Sequence, residues 1–218
     1  MRDRIRNCFK QRSFGDAEQT WHEVTALAEQ KSNANLSGSY SDDGDAAEIF
    51  GLTEPLIPAA VLVALIERSQ GMTVLLTRRA EHLSSHSGQI SFPGGRVEIG
   101  DLAPQRTALR EAAEEIGLDQ ERVEILGRLA NYVVGTGYRI TPVVGFLDPE
   151  TEFVREEDEV AEIFEVPLAI VLEPENYHRE SMRIQNVDRS YYVLSYGGYR
   201  IWGATASILA NLRDMLNE

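Results

Sequence analysis

The chain has little cysteine, little positive charge and no long apolar run, and each shortage excludes a class of protein. Its 218 residues include one cysteine, Cys8, so no disulfide can form within the chain. Lysine and arginine total 21 against 35 acidic residues, a formal net charge of −14, whereas non-specific nucleic-acid binding needs a basic surface. No apolar run reaches the length of a membrane span, and the arginine-rich start lacks the apolar core of a secretory signal. We therefore expect a cytoplasmic protein that binds neither nucleic acid nor membrane.

Composition divides the chain into an N-terminal extension, residues 1–50, and one larger domain, residues 51–218. The first twelve residues carry five basic side chains against one acidic one; a solvated terminus is the favoured interpretation, and contact with nucleic acid or an acidic partner is the alternative. The spacing of apolar residues predicts a helix over residues 16–31. The residues that follow, 32–48, are rich in serine, asparagine, glycine and aspartate, which predicts a flexible linker.

The larger domain shows the mixed patterning of an α+β fold. Runs of β type at Ala59–Ile66 and Met72–Arg79 flank a turn, and further strands are predicted at Val123–Val134 and Tyr138–Phe146. Strands at 191–195 and 199–202 flank Gly197 and Gly198, which is a strong hairpin signal. Helical spacing over residues 204–216 predicts a final helix that packs on the sheet. Mixed strands with a few helices predict a sandwich.

The most informative segment places three glutamates together just before a glycine. On a helix, Glu111 and Glu115 lie one turn apart with Glu114 beside them, and such like-charge pairs cost roughly 0.2–0.5 kcal/mol each. A hard divalent cation offsets that repulsion because it prefers carboxylate oxygens; a solvated acidic face is the plainer alternative. Asp101 and Pro104 suit the start of this helix, and Gly117 suits its end. The opposite side is predicted to be buried and consists of Leu102, Leu109, Ala112, Ala113 and Ile116.

A glycine pair precedes the acidic helix. Pro93, Gly94 and Gly95 predict a tight bend, because glycine adopts conformations that other residues avoid. Such a bend leaves main-chain carbonyls close to the acidic face as further hard ligands, and Gly94 is the candidate.

These residues resemble the box of the Nudix hydrolases, which ends in Arg-Glu-x-x-Glu-Glu-x-Gly. Arg110 opens that motif here and Gly117 closes it. Eight residues, where the general box has seven, separate Asp101 from Arg110, and that longer spacing is similar to the coenzyme A pyrophosphatase subgroup. The upstream segments 75–80 and 88–95 resemble the additional signature of that subgroup, with Ser84 standing where arginine is usual.

The resemblance, which covers residues 56–210, implies a Nudix-type α/β/α sandwich with a mixed sheet and an enzyme that hydrolyses diphosphate linkages. Within the box it implies that Glu111 and Glu115 bind Mg²⁺, or alternatively Mn²⁺, and that Glu114 is a third ligand or a support. Arg110 then orients a glutamate by ion pairing, unless it forms a plain surface pair. The base that activates water is either a box glutamate or an acid on a distant loop. Glu159, the last of four successive acids, is the candidate there, although acidic runs are usually solvated.

Substrate binding requires cations and a surface for the base. Arg79 fits the signature arginine, and with Arg78 it is a candidate for bidentate phosphate binding, the alternative being a solvated strand end. The signature also implies that Gly88 and Gln89 shape the approach of the phosphate. His82 and His86 show no metal-ligand spacing and are expected to be polar loop residues. Tyr132, Tyr138 and Trp202 are candidates for stacking an adenine, although aromatic residues in strands more often belong to the core.

The resemblance thus implies hydrolysis of coenzyme A, or a derivative, to 3′,5′-ADP and 4′-phosphopantetheine. The nearest alternative is a Nudix pyrophosphatase for another nucleoside diphosphate derivative, such as ADP-ribose or a dinucleotide. A catalytically silent Nudix-fold binding protein is the alternative from another class, and the presence of all three box glutamates argues against it. A homodimer is left open.

Overall fold

The computed structural model describes residues 1–11, 55–184 and 187–218. The helix predicted over residues 16–31 and the linker predicted over 32–48 lie outside these ranges. The helices are α1 (Arg2–Gln11), α2 (Pro104–Ile116), α3 (Leu168–Leu172) and α4 (Gly203–Asn217), with 3-10 turns at Gln120–Arg122 and Pro174–Asn176. The strands are β1 (Ile57–Arg68), β2 (Gly71–Arg79), β3 (Ile90–Ser91), β4 (Gly94–Arg96), β5 (Val123–Arg128), β6 (Tyr132–Val134), β7 (Tyr138–Leu147), β8 (Val160–Pro167), β9 (Tyr177–Ile184), β10 (Val187–Tyr196) and β11 (Tyr199–Trp202).

Eight strands form one mixed sheet. Its central order is β3-β2-β1-β7-β5, while β4 pairs with β1, β6 with β7, and β8 with β2. Strands β1 and β7 run parallel, and α2 lies in the long crossover that a parallel pair requires. A second, antiparallel sheet has the order β11-β10-β9. The prediction of an α+β fold with a mixed sheet is confirmed.

Strand β1 supplies apolar side chains to both faces of the large sheet, since successive side chains of a strand point to opposite sides. Val63 and Leu65 belong to the larger core, which also includes residues of α1, α3 and α4. Leu62 and Ile66 belong to the second core, which is closed by α2. Helices therefore cover the sheet on both sides, which confirms the predicted sandwich.

Helix α1 packs on the domain, so the prediction of a solvated basic arm is wrong. Ile5 is 0% exposed and Phe9 is 4% exposed, and both join the larger core. On the same helix, Arg2 and Arg6 donate to the Glu124 carboxylate of β5 at 3.2 Å and 2.7 Å. The apolar residues one turn apart give α1 a face to bury, and two of its cations are paired within the molecule.

The run predicted as one strand at Val123–Val134 forms two strands, β5 and β6. Three residues, 129–131, separate them, opposite only two residues of β7 between Val143 and Ile140. One of those two is Pro142, which has no N–H to donate to a ladder. The pairing is interrupted there, and the chain bulges before it resumes.

Helix α2 begins later than the sequence predicts. Its first residue is Pro104, its N-cap is Ala103, and Asp101 makes no capping bond to it. Leu102, predicted to be buried, is 67% exposed because it precedes the helix. The predicted end is confirmed: Gly117 has φ 63° in the left-handed region, where glycine carries no steric penalty.

None of the helices in the described ranges is long and apolar enough to cross a membrane.

Candidate active site

The glycine pair brings backbone against the acidic helix. The predicted bend is present at Pro93, whereas Gly94 and Gly95 lie in β4, which pairs with β1. A Cβ at Gly94 would collide with the β1 backbone at Ala60 and Val61, and a Cβ at Gly95 would lie 2.5 Å from the Glu111 carboxylate. Only glycine fits between the sheet and the acidic side chains.

Glu115 is a buried carboxylate. Its side chain is 5% exposed, and its Oε2 accepts a hydrogen bond from the Gly94 N–H at 3.2 Å. Burial raises the pKa of Glu115 to about 8; the Gly94 amide and Arg79 act in the opposite direction, and the negative charges of Glu111 and Glu159 add to the rise. The ionised form is therefore poorly compensated by the protein alone.

Glu111 lies beside Glu115 at the edge of the same buried region. Burial raises its pKa above the ordinary value, Arg110 lowers it, and the charges of Glu114 and Glu159 raise it further. Two adjacent carboxylates thus share an excess of negative charge.

Arg110 connects the box acids. Its Nη1 donates to Glu111 at 2.9 Å and to Glu114 at 3.0 Å, and its Nη2 donates to Asp101 at 3.0 Å. Burial alone would raise the pKa of Asp101, but hydrogen bonds from Arg110, the Glu98 amide and Thr107 bring it below its usual value. Asp101 therefore anchors the guanidinium at the first turn of α2, instead of capping the helix.

The three box glutamates differ in exposure. The Glu114 side chain is 58% exposed, compared with 17% for Glu111. Glu114 lies on the outer side of the cluster and holds Arg110, while Glu111 and Glu115 lie against the glycine strand.

Glu159 lies in an exposed turn immediately before β8. This loop is fixed to the site on both sides: the Glu156 N–H donates to the Glu115 carbonyl at 2.9 Å, and the Ala80 N–H donates to the Glu159 carbonyl at 2.8 Å. Its charge contributes to the raised pKa values of Glu111 and Glu115. The fold thus brings together acids that are more than forty positions apart in the sequence.

The two adjacent arginines at the end of β2 have different surroundings. Nη1 of Arg79 lies 3.9 Å from Glu115 Oε1, and its Nε is buried without a hydrogen-bond partner. Arg78 instead forms ion pairs with Glu162 at 3.2 Å and Glu81 at 3.7 Å. A β-bulge separates the two residues. Of these two arginines, Arg79 lines the cavity described in the next paragraph and Arg78 does not.

A cavity of about 510 Å³ opens beside the glycine strand, within the usual range for small-molecule sites. Gln89 lines it, and its Oε1 is hydrogen-bonded to Nδ1 of His86, another lining residue, at 2.9 Å. Gly88 does not line the cavity; its φ of 65° forms the turn just before Gln89. Arg79 and Gln89 therefore share one cavity with Gly94 and Gly95.

Aromatic side chains form much of the remaining lining. Tyr132 is 2% exposed and belongs to the core as well as to the cavity wall. Tyr138 lies beneath the Arg96 guanidinium at 5.1 Å, and Trp202 lies 5.5 Å from the ring of Tyr191. Sequence reasoning missed Arg96 and Tyr191 as cavity residues; strand alternation was the available signal, but it does not reveal which face meets a cavity.

Within residues 1–11, 55–184 and 187–218, no three acidic, histidine or cysteine side chains already stand as a cage for a metal ion. The chemistry of the donors nevertheless fits a hard divalent cation, because Glu111 and Glu115 are neighbouring carboxylates whose negative charges are only partly offset by Arg110, Arg79 and the Gly94 amide. Mg²⁺ is commonly held by one or two carboxylates, with water and substrate phosphates completing its coordination.

Comparison with known proteins places these features in a family. The NUDIX domain model matches residues 56–184. The chain is similar to proteins named uncharacterized Nudix hydrolase NudL from Yersinia pestis (strain Pestoides F) and Yersinia pseudotuberculosis (serotype O:1b, strain IP 31758). Each is 39% identical over 159 residues, which are 73% of this chain and 79% of the relative. A solved MutT/nudix family protein from Enterococcus faecalis is 16% identical, with a TM-score of 0.47 over 98% of this chain and 73% of that one.

Proposed function

This chain belongs to the Nudix hydrolase family, and we propose that the diphosphate linkage it hydrolyses is that of coenzyme A or a derivative. The products are 3′,5′-ADP and 4′-phosphopantetheine. The observation that carries the proposal is that Arg79 and Gln89, from the segments that resemble the coenzyme A signature, line one cavity with Gly94 and Gly95 of the box. The residues that suggest the substrate thus share a cavity with the glycine strand of the box, and that strand in turn contacts Glu115 and Glu111.

Nudix hydrolases use divalent cations, and we propose Mg²⁺ here, with Mn²⁺ as the alternative. Glu111 and Glu115 hold the cation, the Gly94 carbonyl is a further oxygen donor, and Glu114 supports the set. When bound, the cation neutralises phosphate oxygens and lowers the pKa of the attacking water.

The remaining residues orient the reaction. Arg110 fixes Glu111 and Glu114 through the hydrogen bonds described above. Arg79 lines the cavity and offers its guanidinium to the diphosphate, which such a group binds in bidentate geometry. Glu159 takes the proton from water at its carboxylate; a box glutamate is the alternative base. Arg78 pairs with Glu162 and Glu81 and does not line the cavity, so it is not among the proposed phosphate contacts.

A substrate panel tests the proposal. Purified protein is incubated in the presence of Mg²⁺ with one substrate at a time: coenzyme A, ADP-ribose or a dinucleoside polyphosphate. The products are identified by mass. We expect the highest kcat/KM for coenzyme A, with cleavage within the diphosphate. Cleavage of ADP-ribose or the dinucleotide without release of 3′,5′-ADP from coenzyme A would assign the alternative substrate class.

A further inference from the structure

One wall of the cavity comes from outside the part of the chain that matches the family model. The match ends at residue 184, while Ser190, Tyr191 and Trp202 line the cavity from β10 and β11. Thr205 and Ile208 of α4 continue this wall. The acidic residues thus belong to the matched domain, and this part of the cavity lining belongs to the segment that follows it.

The aromatic part of this wall consists of Tyr191 and Trp202. Their ring centroids are 5.5 Å apart and their planes are inclined by 58°. The guanidinium of Arg200 lies 5.4 Å from the Trp202 centroid and does not line the cavity. The two rings therefore form an angled apolar surface that is supported by an arginine.

Glu180 on β9 holds this surface in place. Its carboxylate accepts hydrogen bonds from the Tyr191 hydroxyl at 3.0 Å and from Arg200 at 2.5 Å, and it is bonded to Nε2 of His178 at 3.2 Å. One side chain thus fixes the hydroxyl of Tyr191 and the cation that supports Trp202. Such bracing keeps a binding surface in one geometry before the ligand arrives.

We propose that Tyr191 and Trp202 bind the nucleobase of the substrate, with Glu180 as their positioning residue. This inference rests on the proposed function in so far as base and diphosphate belong to one molecule. A base presents two flat apolar faces that stack on aromatic rings. A pantetheine arm carries two amide groups that need hydrogen-bonding partners, and the Tyr191 hydroxyl is already bonded to Glu180. Arg79 lines the same cavity as the two rings, so a phosphate bound at Arg79 and a base bound at the rings fit within one cavity.

Trp202→Ala tests the subsite by calorimetric titration with each half of coenzyme A, in the presence of Mg²⁺. We expect the Kd of 3′,5′-ADP to rise about tenfold, the loss associated with one stacked base, while the Kd of 4′-phosphopantetheine stays unchanged. A rise for 4′-phosphopantetheine alone, or equal rises for both, would overturn the proposal. Trp202→Phe keeps a ring for the case in which the alanine variant does not fold, and we expect it to give a smaller rise in the same direction.

A pair of neighbouring tyrosines tests the role of Glu180. Tyr191→Phe keeps the ring but loses the bond to Glu180, whereas Tyr192→Phe loses the hydroxyl that accepts a bond from Arg179 at 2.9 Å, away from the cavity. We expect Tyr191→Phe to weaken 3′,5′-ADP binding several-fold and Tyr192→Phe to leave it unchanged, with similar melting temperatures. Equal effects in the two variants would reduce Glu180 to a merely structural role.

The same titration with AMP and ribose 5-phosphate separates this inference from the choice of substrate. If coenzyme A is not hydrolysed but Trp202→Ala weakens AMP binding and not ribose 5-phosphate binding, the base subsite stands and the coenzyme A assignment falls. If wild-type protein binds neither 3′,5′-ADP nor AMP, the base subsite itself is refuted.

Discussion

At the residue scale, the site depends on the close approach of the glycine backbone to the carboxylates of the acidic helix. Gly95 lies against Glu111, and the Gly94 amide donates to Glu115. These contacts explain why the segment needs two successive glycines, which the sequence suggested only as a bend. Substitutions at these two neighbouring positions are therefore expected to differ in effect, one reducing activity and the other reducing stability.

Substituting the glycines one at a time separates folding from function. Gly95→Ala places a methyl group against the Glu111 carboxylate, which can move, so we expect a folded protein with strongly reduced kcat. Gly94→Ala places it against the β1 backbone, which cannot move, so we expect a lower melting temperature. Thermal melts and initial rates check both variants. An active Gly95→Ala enzyme would show that the position of Glu111 is unimportant.

Two neighbouring acids test the assignment of the base. Glu159→Gln removes the proposed proton acceptor, and we expect kcat to fall about a hundredfold or more. Glu157→Gln is the matched control, because this exposed side chain pairs only with Arg155 among the described contacts, at 3.0 Å. We expect it to retain full activity. Full activity of Glu159→Gln would move the base to the box itself.

At the element scale, the sequence predicted α2, α4 and most of the described strands, but it missed α1 and α3 and the details of the ends. The hairpin at Gly197 and Gly198 was predictable because a two-residue turn is a local property of the chain. The start of α2 was not, because Asp101 has two potential uses that sequence cannot separate: it bonds Arg110, nine positions away, instead of the nearby helix amides. The break between β5 and β6 likewise depends on a proline in their partner strand.

Arg68 of β1 forms an ion pair with Glu165 of β8, and Thr73 of β2 donates to the same carboxylate. This group of contacts predicts that the stability of the protein depends on pH. Partial burial would raise the pKa of Glu165 on β8, but hydrogen bonds from Arg68 and Thr73 bring it below its ordinary value. Since the folded pKa is lowered, the carboxylate stabilises the protein above the unfolded pKa of Glu, and this contribution is lost as pH falls through the folded pKa.

We therefore expect Glu165→Gln to destabilise the protein by about 2 kcal/mol at pH 7, the order of a charged hydrogen bond. The difference from wild type should shrink as pH is lowered below about 4.3, the ordinary glutamate pKa. Denaturant unfolding from pH 7 to pH 3 measures it. A difference that is constant across that range would show that the pair contributes no differential charge stabilisation.

At the scale of the whole molecule, the first and last described segments complete the domain. Helix α1 closes the larger core on one side, and the second sheet closes the cavity on another. Sequence could not predict either arrangement, because a short basic helix and a distant hairpin carry no local signal of where they pack. The proximity of the box residues was predictable because they lie within one helix and the strand before it.

The docking of α1 is tested by one buried side chain. Ile5→Ala removes apolar atoms from a fully buried position, and we expect a loss of about 2–5 kcal/mol in unfolding free energy. Lys10→Ala is the control, since its side chain lies on the exposed side of the same helix, and we expect little change. Equal stability of Ile5→Ala and wild type would mean that α1 does not contribute to the folded core.

The most direct test of the central claim is mass-resolved hydrolysis of coenzyme A by the wild-type protein and by Glu115→Gln, both with Mg²⁺. We expect the wild type to release equal amounts of 3′,5′-ADP and 4′-phosphopantetheine. The variant, folded but lacking a buried carboxylate of the proposed metal site, should be slower by about a hundredfold or more. Equal rates for the two proteins, or no 3′,5′-ADP from the wild type, would contradict the account.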